Sequence, residues 1–231
     1  MIETIWRKLS FIIYQLSSKK YCEVKIKKFE FNMFPVNCYV LSDETGEAVV
    51  IDPGCFYEEE KQLLKHYLTS HGLTLKRVLN THLHLDHIFG NPFLFEEYGI
   101  QPEAGQQDEF WLAQASAQSR MFGFRYDEKQ PAIGHYLCDG DIIRFGNTEL
   151  ETVHVPGHSP GSMVFVNRKD NCAFSGDVLF QGSIRHRAKE SVFFMRHLLS
   201  ACHTERSFSF QNASAADSWS PAAQRSAGTK W

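Results

Sequence analysis

One short segment, residues 81–87 (Thr-His-Leu-His-Leu-Asp-His), constrains this chain more than any other part of its sequence. It carries three imidazoles and a carboxylate directly after an apolar run that is typical of a strand. Neutral imidazole and carboxylate are ligands that suit zinc and neighbouring first-row metals. In extended backbone, alternate side chains point the same way, so we expect His82, His84 and Asp86 on one side and His87 on the other. The segment therefore predicts ligands for two adjacent metal ions.

Two further segments supply side chains that suit the same site. Residues 155–162 hold His158 in a turn bounded by Gly and Pro, which fix the backbone and present the side chain. Residues 173–177 form a short apolar strand that ends in Gly-Asp, which places Asp177 at a strand end, where a carboxylate can bridge two metals. A single His-x-His is usually a surface or core pair without a metal. Three segments together favour a metal centre that activates water.

These segments resemble the ligand motifs of the metallo-β-lactamase-fold hydrolases, in the same order and at approximately the same separation. Within that family they are similar to the glyoxalase II-like (hydroxyacylglutathione hydrolase-like) branch. The similarity runs from about residue 24 to residue 184 and includes Asp52-Pro53-Gly54, typical of the strand end before the first long helix. The resemblance implies an α/β fold, the αβ/βα four-layer sandwich, with helices outside two face-to-face sheets and the metals at one edge.

The resemblance also implies a role for each candidate ligand. The implied ligands are His82, His84, Asp86, His87, His158 and Asp177. His82, His84 and His158 would bind the first metal. Asp86 and His87 would bind the second, and Asp177 would bridge the two. Asp86 would in addition orient the nucleophile and is the implied catalytic residue. The implied cofactor is Zn²⁺, two ions per chain in the family, with iron or manganese as alternatives.

The sequence departs from this family after Gly182-Ser183-Ile184. Relatives continue with a Gly-Arg-Thr-Asp-like run and later add a Pro-Gly-His-Gly segment, whose histidine completes the second metal site. Residues 201–231 contain no Ile, Leu, Val or Met, and a segment so poor in apolar side chains cannot offset its ordering entropy by burial. We therefore expect a replaced or out-of-frame, disordered tail and an incomplete second site. His186, His197 and His203 follow no Gly-rich turn and are expected to be incidental.

The chain is therefore divided into three parts: an N-terminal extension at 1–23, a C-terminally truncated metallo-β-lactamase-like domain at 24–184, and an aberrant tail at 185–231. The apolar stretch at 9–16 is too short to span a bilayer and lacks a small-x-small cleavage site, so no membrane partner is expected. The formal charge of −3 provides no basic field for nucleic acid. Six cysteines without a Cys-x-x-Cys pair favour reduced thiols and a cytoplasmic protein.

Sequence patterning places these motifs on a layered α/β domain. Strands are predicted at 24–31, 38–41, 48–51, 75–80, 142–145, 149–155 and 163–166. Helices are predicted at 57–71, around 92–98 and at 108–121. Gly72 is expected to cap the first helix, and the predicted buried stripe of that helix is Leu63, Leu64, Tyr67 and Leu68.

The favoured function is hydrolysis of a small-molecule thioester or ester by a metal-activated water. One alternative is a mononuclear iron enzyme similar to persulfide dioxygenases, in which His82, His158 and Asp177 would bind the iron. Another is an inactive truncated product that does not fold stably. Hydrolysis of β-lactams is a weaker alternative, because those enzymes work outside the inner membrane and this protein is expected in the cytoplasm. The sequence leaves the substrate and the oligomeric state open.

Overall fold

The computed structural model describes residues 23–180, 183–184 and 209–211. The strands are β1 (Lys25–Phe31), β2 (Val36–Ser42), β3 (Glu47–Ile51), β4 (Thr74–Leu79), β5 (Pro102–Gly105), β6 (His135–Leu137), β7 (Ile142–Phe145), β8 (Thr148–His154), β9 (Met163–Asn167), β10 (Cys172–Phe174), β11 (Leu179–Phe180), β12 (Ser183–Ile184) and β13 (Ser209–Gln211). The α-helices are α1 (Glu58–Ser70), α2 (Leu85–Ile88), α3 (Asn91–Tyr98) and α4 (Phe110–Met121). Two 3-10 turns lie at Gln106–Asp108 and Gly176–Val178.

The strands form two main sheets. The first has six strands in the order β1-β2-β3-β4-β5-β6, antiparallel as far as β3 and parallel from β3 to β6. In β3 all residues after Glu47 are buried, which is typical of a parallel strand covered on both faces. The second sheet has the order β13-β10-β9-β8-β7, in which β13 runs parallel to β10 and the other pairs are antiparallel. Strands β11 and β12 form a separate antiparallel pair.

Apolar side chains from both sheets meet in a shared core, where the rings of Tyr39 and Phe174 lie 5.2 Å apart, edge to face. The other face of the first sheet packs against α1 and α3, which contribute Leu64, Leu68 and Leu94 to a second core. Burial of such side chains is the main stabilising contribution to a layered domain. The predicted α/β class, with two sheets packed face to face and helices on the outer face of the first, is confirmed.

The predicted elements match the structure with a few exceptions. Gly72 caps α1 as predicted, with φ +62°. Leu63 does not belong to the buried stripe of α1 but is half exposed, because that helix buries a narrower face around Leu64 and Leu68. Strands β5 and β6, of four and three residues, were not predicted, since segments so short carry little periodicity.

The terminal parts of the predicted domain division fall largely outside the described residues. That is the case for the extension at 1–23 apart from its last residue, and for most of the tail at 185–231. Within the tail, residues Ser209–Gln211 form β13, which pairs with β10. Backbone pairing with an existing sheet edge orders a short segment without requiring an apolar sequence. No helix in the described ranges has the length and apolar character needed to cross a bilayer.

A buried carboxylate joins the two sheets at the start of β3. Asp43, in the β2–β3 turn, accepts hydrogen bonds from the backbone N–H of Asn147 at 2.6 Å and the hydroxyl of Thr148 at 3.0 Å. Asn147 lies in the turn between β7 and β8, and Thr148 begins β8 in the second sheet. Although burial opposes ionisation, hydrogen bonds from Thr45, Asn147 and Thr148 lower the pKa of Asp43 below its usual value. This junction fixes the two sheets to one another.

Candidate metal centre

The candidate ligands lie in three connections that follow the C-terminal ends of strands. The connection after β4 contains His82 and His84 and continues into α2, which begins at Leu85 and carries the next two candidates. His158 lies in the loop after β8, and Asp177 in the 3-10 turn after β10. The structure brings all of these side chains together at one edge of the two sheets.

The expected local geometry of residues 81–87 is wrong in one respect. The backbone is extended as far as His84, which has ψ 148° and is the N-cap of α2, and it is helical from Leu85. Asp86 therefore does not continue the alternation of His82 and His84. The first turn of the helix brings Asp86 and His87 to the cluster instead, because a helix rotates successive residues by about 100°.

Three histidines form one group that could hold a metal. The ligand atoms of His82, His84 and His158 lie within 4.8 Å of one another. His84 Nδ1 and His158 Nε2 lie 2.8 Å apart. The ring centroid of His82 lies 4.6 Å from that of His84 and 4.8 Å from that of His158. The group is buried except for the partly exposed His158.

A second group shares His82 and adds His87 and Asp177. His87 Nε2 lies 3.4 Å from Asp177 Oδ1 and 3.8 Å from Asp86 Oδ2. The other carboxylate oxygen of Asp177 lies 3.3 Å from His158 Nε2, which belongs to the first group. Asp177 thus belongs to the second group and contacts the first through its other carboxylate oxygen.

These separations fit the coordination sphere of a cation. Two nitrogen ligands at about 2.0–2.1 Å from a tetrahedral zinc are themselves about 3.4 Å apart. His87 Nε2 and His158 Nε2 lie 3.4 Å and 3.3 Å from the Asp177 oxygens, and the ligand atoms within each group all lie within 4.8 Å of one another. Imidazole nitrogens and carboxylate oxygens are also the donors that first-row metals take. The side chains present therefore fit one or two divalent cations.

The electrostatics of the cluster favour positive charge. Burial and the neighbouring Asp177 carboxylate raise the pKa of Asp86 to about 6, against the opposing effect of His87. Burial alone would lower the pKa of His87, but the carboxylates of Asp52 and Asp86 raise it well above its usual value. A divalent cation bound here would balance the carboxylate charge that raises the pKa of His87.

Asp52 holds the cluster from the end of β3. One of its oxygens accepts a hydrogen bond from the backbone N–H of Thr81 and the other from the Thr81 hydroxyl, both at 2.7 Å. His87 Nδ1 lies 3.1 Å from Asp52 Oδ2, which leaves the Nε2 atom of the ring directed at the other candidates. Thr81 Oγ1 in turn lies 3.1 Å from His82 Nδ1. Contacts of this kind orient an imidazole toward a metal.

The residues after Asp52 support the backbone of Asp86. A Cβ atom on Gly54 would lie 2.6 Å from the Asp86 carbonyl oxygen, so only glycine allows this approach. The side-chain amide of Asn32 donates to the same carbonyl at 3.0 Å and to the Gly54 carbonyl at 2.8 Å. The glycine of the Asp52-Pro53-Gly54 motif is thus needed for the close approach of the Asp86 backbone, which the sequence alone did not reveal.

Sequence reasoning located the six candidate ligands but assigned no role to the side chains that orient them. Asp52 was visible as part of a strand-end motif, and Thr81 as the first residue of the histidine segment. The partners of the histidines could not be read from spacing, because they come from separate elements. The expected loss of a distal histidine ligand, and His186, His197 and His203, lie outside the described residues.

Two sheets packed face to face, with histidines and carboxylates gathered at their edge, define the class of metal-dependent enzymes with an αβ/βα sandwich. The chain belongs to the metallo-beta-lactamase superfamily, whose sequence profile matches residues 32–212. Members of this superfamily bind divalent metals and are typically hydrolytic enzymes. The match extends past residue 184, the predicted end of the domain, and includes β13.

Individual relatives support the same assignment. The chain is 33% identical over 158 residues to the hydroxyacylglutathione hydrolase GloC of Haemophilus influenzae, covering 65% of this chain and 70% of the relative. It is 39% identical over 150 residues to the human mitochondrial persulfide dioxygenase ETHE1, covering 63% of this chain and 50% of that protein. The crystal structure of the B3 metallo-beta-lactamase BLEG-1 superposes with a TM-score of 0.68 at 29% identity, covering 82% of this chain and 91% of that one.

Proposed function

We propose that this protein is a metal-dependent thioester hydrolase of the glyoxalase II type. The observation that carries the proposal is the position of Asp86 and His87 beside the three-histidine group, with the Asp177 carboxylate between. That arrangement offers ligands for two adjacent cations. The similarity to the hydroxyacylglutathione hydrolase GloC supports a thioester substrate.

The proposed ligands are those that the sequence predicts, and the proposed metal is zinc. A divalent cation held there would polarise a carbonyl group and lower the pKa of a bound water to about 7. The histidine rings would hold the cation, and Asp52 and Thr81 would keep two of those rings in place. Asp177 would bridge two cations if both are present.

Asp86 is the proposed catalytic residue. Most of its side chain is buried, but 27% of it is exposed, compared with 2% for His87 and 16% for Asp177. We infer that water and substrate reach the centre on the Asp86 side. There the carboxylate would accept a hydrogen bond from the attacking water and orient it toward the thioester carbonyl. Such orientation converts a bimolecular encounter into a positioned attack.

A second candidate function is a persulfide dioxygenase with one iron, bound by His82, His158 and Asp177. The identity of 39% to the human persulfide dioxygenase favours it. The distance of 3.3 Å between His158 Nε2 and Asp177 Oδ2 is compatible with shared coordination. Metal content separates the candidates, because the hydrolase is expected to hold about two zinc ions per chain and the dioxygenase one iron.

The proposed partner is a small-molecule thioester, with no nucleic acid and no membrane, and the proposed location is the cytoplasm. The low net charge of −3 supports the absence of a nucleic-acid partner. The described cysteines, Cys38, Cys55, Cys138 and Cys172, are free thiols, in keeping with a reducing compartment.

The test is a thioester hydrolysis assay on the purified full chain with measured metal content. We expect turnover of S-lactoylglutathione that is lost, by about 100-fold or more, in His84→Ala, because removal of a ligand impairs the activating cation. The matched control is His66→Ala, which removes an exposed histidine from α1 and should leave turnover unchanged.

Other outcomes point elsewhere. Unchanged turnover in His84→Ala would contradict the proposed metal-dependent mechanism. Persulfide consumption with one iron per chain would replace the hydrolase by the dioxygenase, and cleavage of a chromogenic cephalosporin in place of the thioester would indicate a β-lactamase. A chain without activity and without a cooperative melting transition would be the inactive truncated product.

A further inference from the structure

Asp108 is a fully buried carboxylate that does not belong to either candidate ligand group. It ends the 3-10 turn that follows β5. Burial of a carboxylate is costly unless its oxygens accept hydrogen bonds. Asp108 Oδ1 accepts from the Ser159 hydroxyl and from the Gly161 backbone N–H, both at 2.6 Å, and Oδ2 accepts from the Leu83 backbone N–H at 3.1 Å. Both oxygens are therefore engaged.

The three donors come from the two connections that carry histidines. Leu83 lies between His82 and His84, and Ser159 directly follows His158. One carboxylate thus binds the backbone or side chain next to each histidine of the first group. We infer that Asp108 is a positioning residue that sets the distance between the two ligand connections. The inference rests on the proposed metal centre and is independent of the substrate.

Close packing makes this connection rigid. A Cβ atom on Gly161 would lie 2.8 Å from Asp108 Cγ and 2.9 Å from its backbone nitrogen. A Cβ atom on Gly105 would lie 2.4 Å from the Gly161 carbonyl oxygen. The chain around Asp108 and the His158 loop therefore touch through backbone, with no space for a side chain. Contacts at this distance transmit small displacements, because a close-packed interior does not deform freely.

Trp111, one turn along in α4, adds a second connection between the same loops. Its indole N–H donates to the Ser159 hydroxyl at 3.2 Å, and its ring lies 5.1 Å from the His84 imidazole, edge to face. The segment from β5 to α4 thus contacts both His84 and the residue after His158. Metal affinity depends on such supporting contacts, since ligands held about 1 Å out of place bind poorly.

The Asp43 junction provides a matched comparison. Asp43 also is a buried carboxylate that accepts backbone N–H and hydroxyl donors from a separate connection. Its donors, Asn147 and Thr148, adjoin no candidate ligand. Loss of either carboxylate should destabilise the fold, but only the loss of Asp108 should displace histidines.

The experiment measures Zn²⁺ affinity of the full chain by competition with a chromophoric chelator, and urea unfolding of the metal-free protein. In Asp108→Asn one carboxylate oxygen is replaced by an amide NH₂, which cannot accept a hydrogen bond. Depending on which oxygen is replaced, the variant loses either the hydrogen bond from Leu83 or those from Ser159 and Gly161. We expect Zn²⁺ affinity to fall about 10–100-fold. Excess Zn²⁺ should restore turnover, because Asp108 touches neither substrate nor metal. Asp43→Asn should unfold more easily than wild type but keep its Zn²⁺ affinity.

Equal Zn²⁺ affinity in Asp108→Asn and wild type would overturn the inference, as would an equal loss in Asp43→Asn. If Asp108→Asn yields no folded protein, Ser159→Ala carries the test, since it removes one of the three donors and should weaken Zn²⁺ binding several-fold. Unchanged affinity in that variant would also overturn the inference. A wild-type chain that binds no divalent cation would instead overturn the proposed function and the metal centre with it.

Discussion

The two ends of strand β3 are held by the same chemistry and serve different purposes. Before the strand, Asp43 accepts hydrogen bonds from a connection of the second sheet. After it, Asp52 accepts hydrogen bonds from Thr81 and lies 3.1 Å from a ring nitrogen of His87. The first carboxylate joins two turns, whereas the second orients functional side chains. A buried Asp that accepts several hydrogen bonds can therefore serve the fold alone. It serves the candidate site only where the residues that donate to it adjoin candidate ligands.

The largest expected effect is that of Asp52→Asn. The amide tolerates the left-handed backbone of this position, φ +51°, but can no longer accept both Thr81 donors. We expect a loss of about 100-fold in Zn²⁺ affinity and about 2–3 kcal/mol of unfolding free energy. Elemental analysis, chelator competition and urea unfolding measure these changes. If Asp52→Asn loses stability but retains Zn²⁺ affinity, Asp52 only stabilises the fold, as Asp43 does, and does not orient metal ligands.

A pair of glycine variants gives an effect of intermediate size. Gly161→Ala places a methyl group against Asp108. Gly146→Ala places one against Asp43 and Thr45, and Gly146 itself has a φ of +51°. Overpacking of this kind costs about 1–3 kcal/mol at either position. Only Gly161→Ala should also weaken Zn²⁺ binding, by about 10-fold, because Gly161 belongs to the His158 connection. The same loss of affinity in both variants would show that stability alone governs metal binding.

The smallest effect concerns the acid dependence of the Asp43 junction. Hydrogen bonds lower the pKa of Asp43 in the folded protein, despite burial. Such a carboxyl stabilises the fold above its unfolded pKa of about 3.9, and this contribution is lost as the pH falls through the folded pKa. In urea unfolding of metal-free protein, Asp43→Asn should cost about 1–2 kcal/mol at neutral pH and less below about pH 4. A stability difference that does not shrink in acid would contradict this assignment.

The candidate site divides into a part that the sequence predicts and a part that it does not. His82, His84 and His158 stand out because imidazoles at metal-ligand spacing between strand and turn signals are rare by chance. Asp108 gave no such signal. It is an acidic residue at the start of a predicted helix, where Asp is common for reasons of capping alone. Its role depends on donors about 25 and 50 residues away, and pairwise contacts at that separation leave no local pattern.

The helix α2 shows the same division on a smaller scale. The sequence identified Asp86 and His87 as candidates, but treated them as residues of an extended segment. A four-residue helix is too short for a 3.6-residue period to be recognised. Its position is decided by contacts with other elements, among them the Asn32 amide on the Asp86 carbonyl and the close approach of Gly54. Tertiary contacts thus override a local pattern that favoured a strand.

The sequence by itself determined the alternation of strands and helices, the apolar faces that form the core, and the identity of the candidate ligands. These features follow from residue type and short-range period, which act over a few neighbouring positions. Only the tertiary structure decided which loops meet, how far apart their histidines lie, and which carboxylates orient them. Those distances depend on hydrogen bonds and close backbone contacts between elements that are remote in sequence, such as Asp108 with Leu83 and Gly161.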